Sequence, residues 1–161
     1  MTRTIEIMDT TLRDGEQTSG VSYSPKEKLT ISKLLIEELK IDRIEVASAR
    51  VSDGELNSVR GITAWAKENN HLQRIEVLTF IDNYKSIEWL IKSGCKVQNL
   101  LTKGSLNHLE HQLKKTPTEH FEDISKIIQN AEKNSIQTNI YLEDWSNGMK
   151  NSKEYVIEFL S

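Results

Sequence analysis

The chain has 161 residues, a formal net charge of −3, 37% hydrophobic and 28% charged residues, and one cysteine. That length suffices for one domain with a real core, and the composition excludes a disordered chain. Both signs of charge are interspersed, which leaves no electrostatic case for nucleic acid or an anionic membrane, and the lone Cys95 excludes an internal disulfide framework and fits a reducing compartment.

Met1-Thr2-Arg3-Thr4 carries no signal-peptide core, and no later apolar run approaches spanning length, so a cytoplasmic location is expected. A first strand is expected over Thr4 to Met8. It runs into Asp9-Thr10-Thr11-Leu12-Arg13-Asp14-Gly15-Glu16-Gln17, which crowds an arginine, three acids, two threonines and a glycine into one loop. Ser24-Pro25-Lys26-Glu27 has the form of a capping box with proline at the first helical position. Ile31, Leu34, Leu35 and Leu39 give the helix after it an apolar face. Arg43 to Ala47 reads as a second strand in which Glu45 interrupts an apolar run, and so must face solvent or a site. Ser52-Asp53-Gly54-Glu55 has capping spacing again, ahead of a stripe of Leu56, Val59, Ile62 and Ala66. Arg74 to Phe80 is a third strand. The helix after it, with Tyr84, Ile87, Leu90 and Ile91, closes at Gly94. Val97 to Leu101 is a fourth strand, followed by a polar loop and a short helical piece. Thr116-Pro117-Thr118-Glu119 then repeats the first capping box, and Phe121, Ile124, Ile127, Ile128 and Ala131 face inward from the helix it starts. Thr138 to Leu142 is a fifth strand, and Asn151-Ser152-Lys153-Glu154 begins a last helix with Tyr155, Val156, Phe159 and Leu160.

Strict alternation of strand and helix argues for parallel strands joined by right-handed crossovers. An open doubly wound sheet and a (β/α)8 barrel both fit that pattern, although a barrel typically needs about 250 residues. The first strand loop has neither G-x-G-x-x-G nor a P-loop, which removes the usual nucleotide sites. Parallel strands bring the strand-end polar groups to one rim. Those groups are Asp9, Arg13, Asp14 and Gln17, then Glu45 and Ser48, Thr79 and Asp82, Thr102 and Lys103, and finally Tyr141, Glu143 and Asp144. An acid-rich rim with one arginine suits a divalent metal and an oxyanion. The competing reading makes Arg13 and Asp14 a structural salt bridge over the rim.

Leu12-Arg13-Asp14-Gly15-Glu16-Gln17, followed after ten residues by Lys28, resembles the amino-terminal signature of the isopropylmalate, homocitrate and citramalate synthases. The signature reads Leu-Arg-(Asp or Glu)-Gly-x-Gln, ten residues, Lys, and every fixed position is met. The resemblance continues through Arg43 to Arg50, Asn99 to Ser105 and Tyr141 to Trp145, and is nearest to the citramalate synthases. It implies a parallel (β/α)8 TIM-type barrel of metal-dependent enzymes, a superfamily that includes hydroxymethylglutaryl-CoA lyase. The implied reaction is a Claisen-type condensation. Acetyl-CoA is deprotonated, its enolate attacks a 2-oxo acid, and thioester hydrolysis releases CoA. The resemblance makes Asp14 a ligand of a divalent ion (Zn, Mn or Mg), Arg13 the stabiliser of the negative oxygen, and Gln17 and Glu45 their braces. Glu143 becomes a candidate acid/base. Leu78, Leu101 and Tyr141 fall where the family contacts the side chain of the oxo acid; all three are bulky, which favours pyruvate over 2-oxoisovalerate. A homodimer is implied for the full-length enzymes.

The departures are equally specific. The family barrel has eight strands, against about five strand-helix units here, and the family's His-x-His metal motif does not occur. His108 and His111 flank a Leu-Glu pair in a polar segment that reads as an exposed turn, and Cys95 reads as a buried apolar group. The expectation is therefore the first five units of one catalytic barrel, inactive alone, either as part of a longer chain or completed by a second polypeptide. The alternatives are a lyase of the hydroxymethylglutaryl-CoA type and a non-catalytic half-barrel that self-associates.

Overall fold

The computed structural model describes residues 5–161; Thr4, at the start of the expected first strand, lies outside them. Strand and helix alternate as β1 (Met8–Asp9), α1 (Pro25–Lys33), β2 (Arg43–Ser48), α2 (Asp53–Glu68), β3 (Ile75–Thr79) and α3 (Lys85–Ser93). Then come β4 (Val97–Lys103), α4 (Leu106–His108), α5 (Pro117–Lys133), β5 (Gln137–Glu143), α6 (Trp145–Asn151) and α7 (Lys153–Phe159). The strands lie in the order β1-β2-β3-β4-β5, and every pair is parallel. A doubly wound sheet reverses its winding at a switch point. Here each new strand joins the same advancing edge, so the sheet curls into part of a barrel and the doubly wound alternative falls.

Helices α1, α2, α3 and α5 cover the outer face. The core there joins Ile44, Val46, Ile75, Val77 and Leu100 of the sheet to Leu56, Val59, Ile62, Ile87, Leu90, Ile124, Ile127 and Ala131 of the helices. Leu109, Tyr155 and Val156 form a second cluster with Phe121, Met149 and Phe159 around them. Cys95 is buried, and burial pushes its thiol up to about 12, so it packs as an apolar group.

The capping boxes at Ser24 and Thr116 are complete. At Ser52 only half forms: the hydroxyl accepts the Glu55 N–H, but the Glu55 carboxylate is taken by Lys28. Three expectations change. β1 is shorter than Thr4 to Met8, although the Ile7 carbonyl still accepts from the Asp42 and Arg43 N–H groups. The helix after Pro25 runs into a π-turn at Leu34–Glu38, which rotates its later residues. Leu35 and Ile36 are therefore buried, whereas Leu34 and Leu39 are 51% and 67% exposed. The third change is α6, which helical spacing did not reveal. Ser152 consequently accepts from the Leu106 N–H and donates to the Gly148 carbonyl instead of capping α7.

α6 sits on the turn after β4. A Cβ at Gly148 would overlap the Gly104 carbonyl oxygen and lie 2.9 Å from Val156. Backbone cannot yield to that extent, so Gly148→Ala is expected to cost about 1–3 kcal/mol by overpacking. Gly61, in α2 with nothing near its missing Cβ, is the control. Gly61→Ala should stabilise by about 0.4–1 kcal/mol through the unfolded chain. Urea midpoints of the two variants check the pair.

Candidate active site

The loop after β1 is locked from below. Lys28, only 1% exposed, places its ammonium 2.5 Å from Glu16 and 2.6 Å from Glu55, and 3.4 Å from the Leu12 carbonyl. Glu16 also accepts the Tyr23 N–H with its other oxygen. Loop, α1 and the start of α2 thus share one buried cation. The three N–H groups of Arg13, Asp14 and Gly15 all converge on the Thr10 carbonyl, which coils the loop and presents Arg13 over the sheet.

Arg13 Nε donates to Glu45 at 2.5 Å and a terminal nitrogen donates to Asp14 at 2.8 Å. Glu45 is fully buried on the concave face of β2. Its other oxygen accepts from Asn99 Nδ2 at 2.7 Å, and Asn99 in turn accepts from Asn139 at 3.0 Å. The chain of contacts therefore runs from β5 through β4 to β2 and up to Arg13. Glu45 is in register with Glu76, and the bulge that follows leaves Ser48 in register with Leu78. Burial raises the Glu76 carboxyl above its usual range; Asn99 and Arg43 partly offset this, and neighbouring Glu45 adds to it. Tyr141 points its hydroxyl at Met8 Sδ, 3.5 Å away, and its phenol is pushed up by burial and then by the charges of Glu45 and Glu76.

Arg13, Asp14, Glu45 and Tyr141 are thus brought into one cluster. Leu78 is buried, and Leu101 is in register with Tyr141 across β4 and β5. Gln17 is exposed and lines a cavity of about 380 Å³ with Arg13, Ser48 and Glu55, but its side chain holds nothing among the described residues. Glu143 stands apart, ion-paired with Lys103. Thr79 bonds to Gln98, Thr102 to the Tyr141 carbonyl, and Asp82 to Ser86 and Arg50, so these three are occupied structurally. His108 lies 3.5 Å from Asp144, and His111 bonds back to the Asn107 carbonyl.

The metal expectation meets a difficulty in the donor set. Asp14 is 63% exposed and already shares an oxygen with Arg13. Among the described residues no group of three or more His, Cys, Asp or Glu side chains is placed to hold a metal ion. These residues do not by themselves fit a divalent metal.

Sequence reading missed Asn99, Asn139 and Glu76 as members of the site. The signal was present. Arg74-Ile75-Glu76-Val77 repeats Arg43-Ile44-Glu45-Val46, and asparagine is depleted in strands unless something holds its amide.

Fold and site together define part of a parallel β/α barrel, with Arg13 and Asp14 in the loop after β1, on the side where such barrels carry their chemistry, and Glu45 and Glu76 within strands β2 and β3. The chain belongs to the HMGL-like family, which it matches over residues 4–160. It is 35% identical over 141 residues to the (R)-citramalate synthase of Methanocaldococcus jannaschii, an alignment that covers 87% of this chain and 27% of that protein. A 2-isopropylmalate synthase of Caldanaerobacter subterraneus is 28% identical over 155 residues, covering 96% of this chain and 38% of that one. The chain thus spans well under half the length of these curated relatives. Hydroxymethylglutaryl-CoA lyase of Pseudomonas aeruginosa superposes with a TM-score of 0.64 at 16% identity, over 86% of this chain and 45% of that chain, and shares the fold. No helix among the described residues is long and apolar enough to cross a membrane.

Proposed function

We propose that residues 1–161 form the amino-terminal part of a single catalytic barrel that condenses acetyl-CoA with a 2-oxo acid, in isoleucine or leucine biosynthesis. Pyruvate would give citramalate and 2-oxoisovalerate would give 2-isopropylmalate. The observation that carries this reading is Arg13, held by the buried Glu45 over the concave face, in a chain 35% identical to a citramalate synthase. Two of its nitrogens are engaged by Glu45 and Asp14, and the remaining N–H donors are available to the oxygen that gains charge as the new carbon–carbon bond forms. Donors preset at that position stabilise the charge without reorganising. Leu78, Leu101 and Tyr141 bound the space for the oxo-acid side chain and favour a methyl group, hence pyruvate. Glu143, ion-paired with Lys103, is the acid/base or orienting carboxylate. Asp14 would supply one oxygen to a divalent ion, a donor set that the described residues do not complete.

Release of CoA from acetyl-CoA with pyruvate, in the presence of Mn²⁺ or Zn²⁺, tests the reading. The purified chain alone is expected to turn over nothing, because its donor set is incomplete. Robust turnover would show that the ligands and catalytic groups are misassigned. Cleavage of hydroxymethylglutaryl-CoA without condensation would favour the lyase instead. One observation supports a half-barrel that self-associates: β1 and β5 are edge strands of the sheet, with Ile7 and Ile140 59% and 39% exposed. A monodisperse dimer by light scattering would raise that reading.

A further inference from the structure

We propose that Asn99 is a positioning residue for Arg13, acting through Glu45; the proposal rests on the reading of Arg13 given above. Asn99 sits in the middle of β4, fully buried, where an apolar side chain would pack without an amide to satisfy. Both ends of its amide are engaged along one line. Nδ2 donates to Glu45 Oε1 at 2.7 Å, and Oδ1 accepts from Asn139 Nδ2 at 3.0 Å. The amide has only one workable orientation, because the flipped form would set its oxygen against a carboxylate. Since Glu45 is on β2 and Asn99 on β4, the bond reaches over β3 inside the curled sheet.

The consequence concerns aim. Glu45 Oε2 is taken by Arg13 Nε at 2.5 Å, and Asn99 donates to Oε1 at 2.7 Å. A carboxylate fixed at both oxygens cannot rotate, so Arg13 Nε meets an acceptor in one orientation only. With Oε1 released, the carboxylate turns toward other donors, and the guanidinium, which is 16% exposed, can leave it for solvent. Asn139 holds the far end of the same line, so strand β5 also bears on how Arg13 is held.

The test follows the Arg13 Nε–H by ¹⁵N-edited NMR in the whole chain and needs no turnover. In Asn99→Leu, with the fold intact by circular dichroism, Arg13 Nε–H exchange with water is expected to quicken at least about tenfold, the factor of one lost hydrogen bond. Asn139→Leu should quicken it by a smaller factor. Val59→Ala, a core truncation in α2 away from this line, should leave it unchanged. An unaltered Arg13 signal in folded Asn99→Leu overturns the proposal, as does an equal change in Val59→Ala. Should Asn99→Leu fail to fold, Asn139→Leu decides, and an unchanged signal there overturns the proposal too. Failure of the proposed condensation leaves this signal untouched, so the two readings fall separately.

Discussion

Lys28→Met is expected to destabilise the chain by about 3 kcal/mol and to free the loop that carries Arg13 and Asp14. The ammonium is buried between Glu16 and Glu55, at 2.5 and 2.6 Å. Methionine fills much the same space with no charge, so what changes is the electrostatics. Breaking a buried pair from one side costs about 3–5 kcal/mol, because the remaining charge is uncompensated. The lower end applies here, since Glu16 and Glu55 are 24% and 16% exposed and recover some hydration. In a chain of this size the loss corresponds to a fall of roughly 6–12 °C in Tm. The charge account makes a further demand. Converting Glu16 and Glu55 to Gln in the Lys28→Met background should recover most of the loss, because no orphaned carboxylates remain. If the triple variant is as unstable as Lys28→Met, packing rather than charge is the cause. Hydrogen exchange across the loop should rise in Lys28→Met and fall back in the triple variant.

Lys28 also shows where sequence reading stops. Its place after the ten residues that follow Gln17 was evident, but lysine is seldom buried. Nothing local says that its ammonium reaches Glu55, 27 positions on. Features set by neighbouring residues were legible. Ser24-Pro25 and Thr116-Pro117 start helices as capping chemistry requires, Gly94 ends α3 in a left-handed conformation, and the alternating elements gave a parallel sheet. Periodicity left barrel and doubly wound sheet open, because winding direction is a tertiary property; the strand order decided it. Leu34 and Leu39 failed because a π-turn breaks the assumed rotation per residue. In the site, Arg13 and Glu45 were singled out in advance. The line from Glu45 through Asn99 to Asn139 was not, since it joins residues 54 and 40 positions apart.

Acid sensitivity is expected to centre on His120. The ring is fully buried beside Phe121 and Phe159. Its Nε2 accepts the Lys103 N–H at 3.2 Å, so the proton of the neutral ring is on Nδ1, which is buried without a partner. A second proton would set two donors against each other at the end of β4. Burial, then Lys115 and Lys103, hold the imidazole from 6.5 down to about 4, with Asp123 opposing them. The unfolded chain therefore binds a proton between pH 6.5 and about 4 that the native chain refuses. Stability is complete above that window and is lost as pH falls through it, by up to about 1.4 kcal/mol per pH unit and roughly 3 kcal/mol in all. Below about 4 the native ring also takes up the proton, and this contribution to the slope ends. His120→Gln keeps an acceptor for Lys103 but cannot titrate. Its urea midpoint should fall less steeply across the window than that of the parent chain, even if it starts lower at neutral pH. Carboxylates such as Asp123 and Asp144, held below their usual range by Lys115 and by Ser105, lose their contribution at lower pH in both chains. The difference between the two profiles thus isolates the imidazole. Parallel profiles would show that His120 is protonated in the native state and that the aromatic cluster opens to admit water.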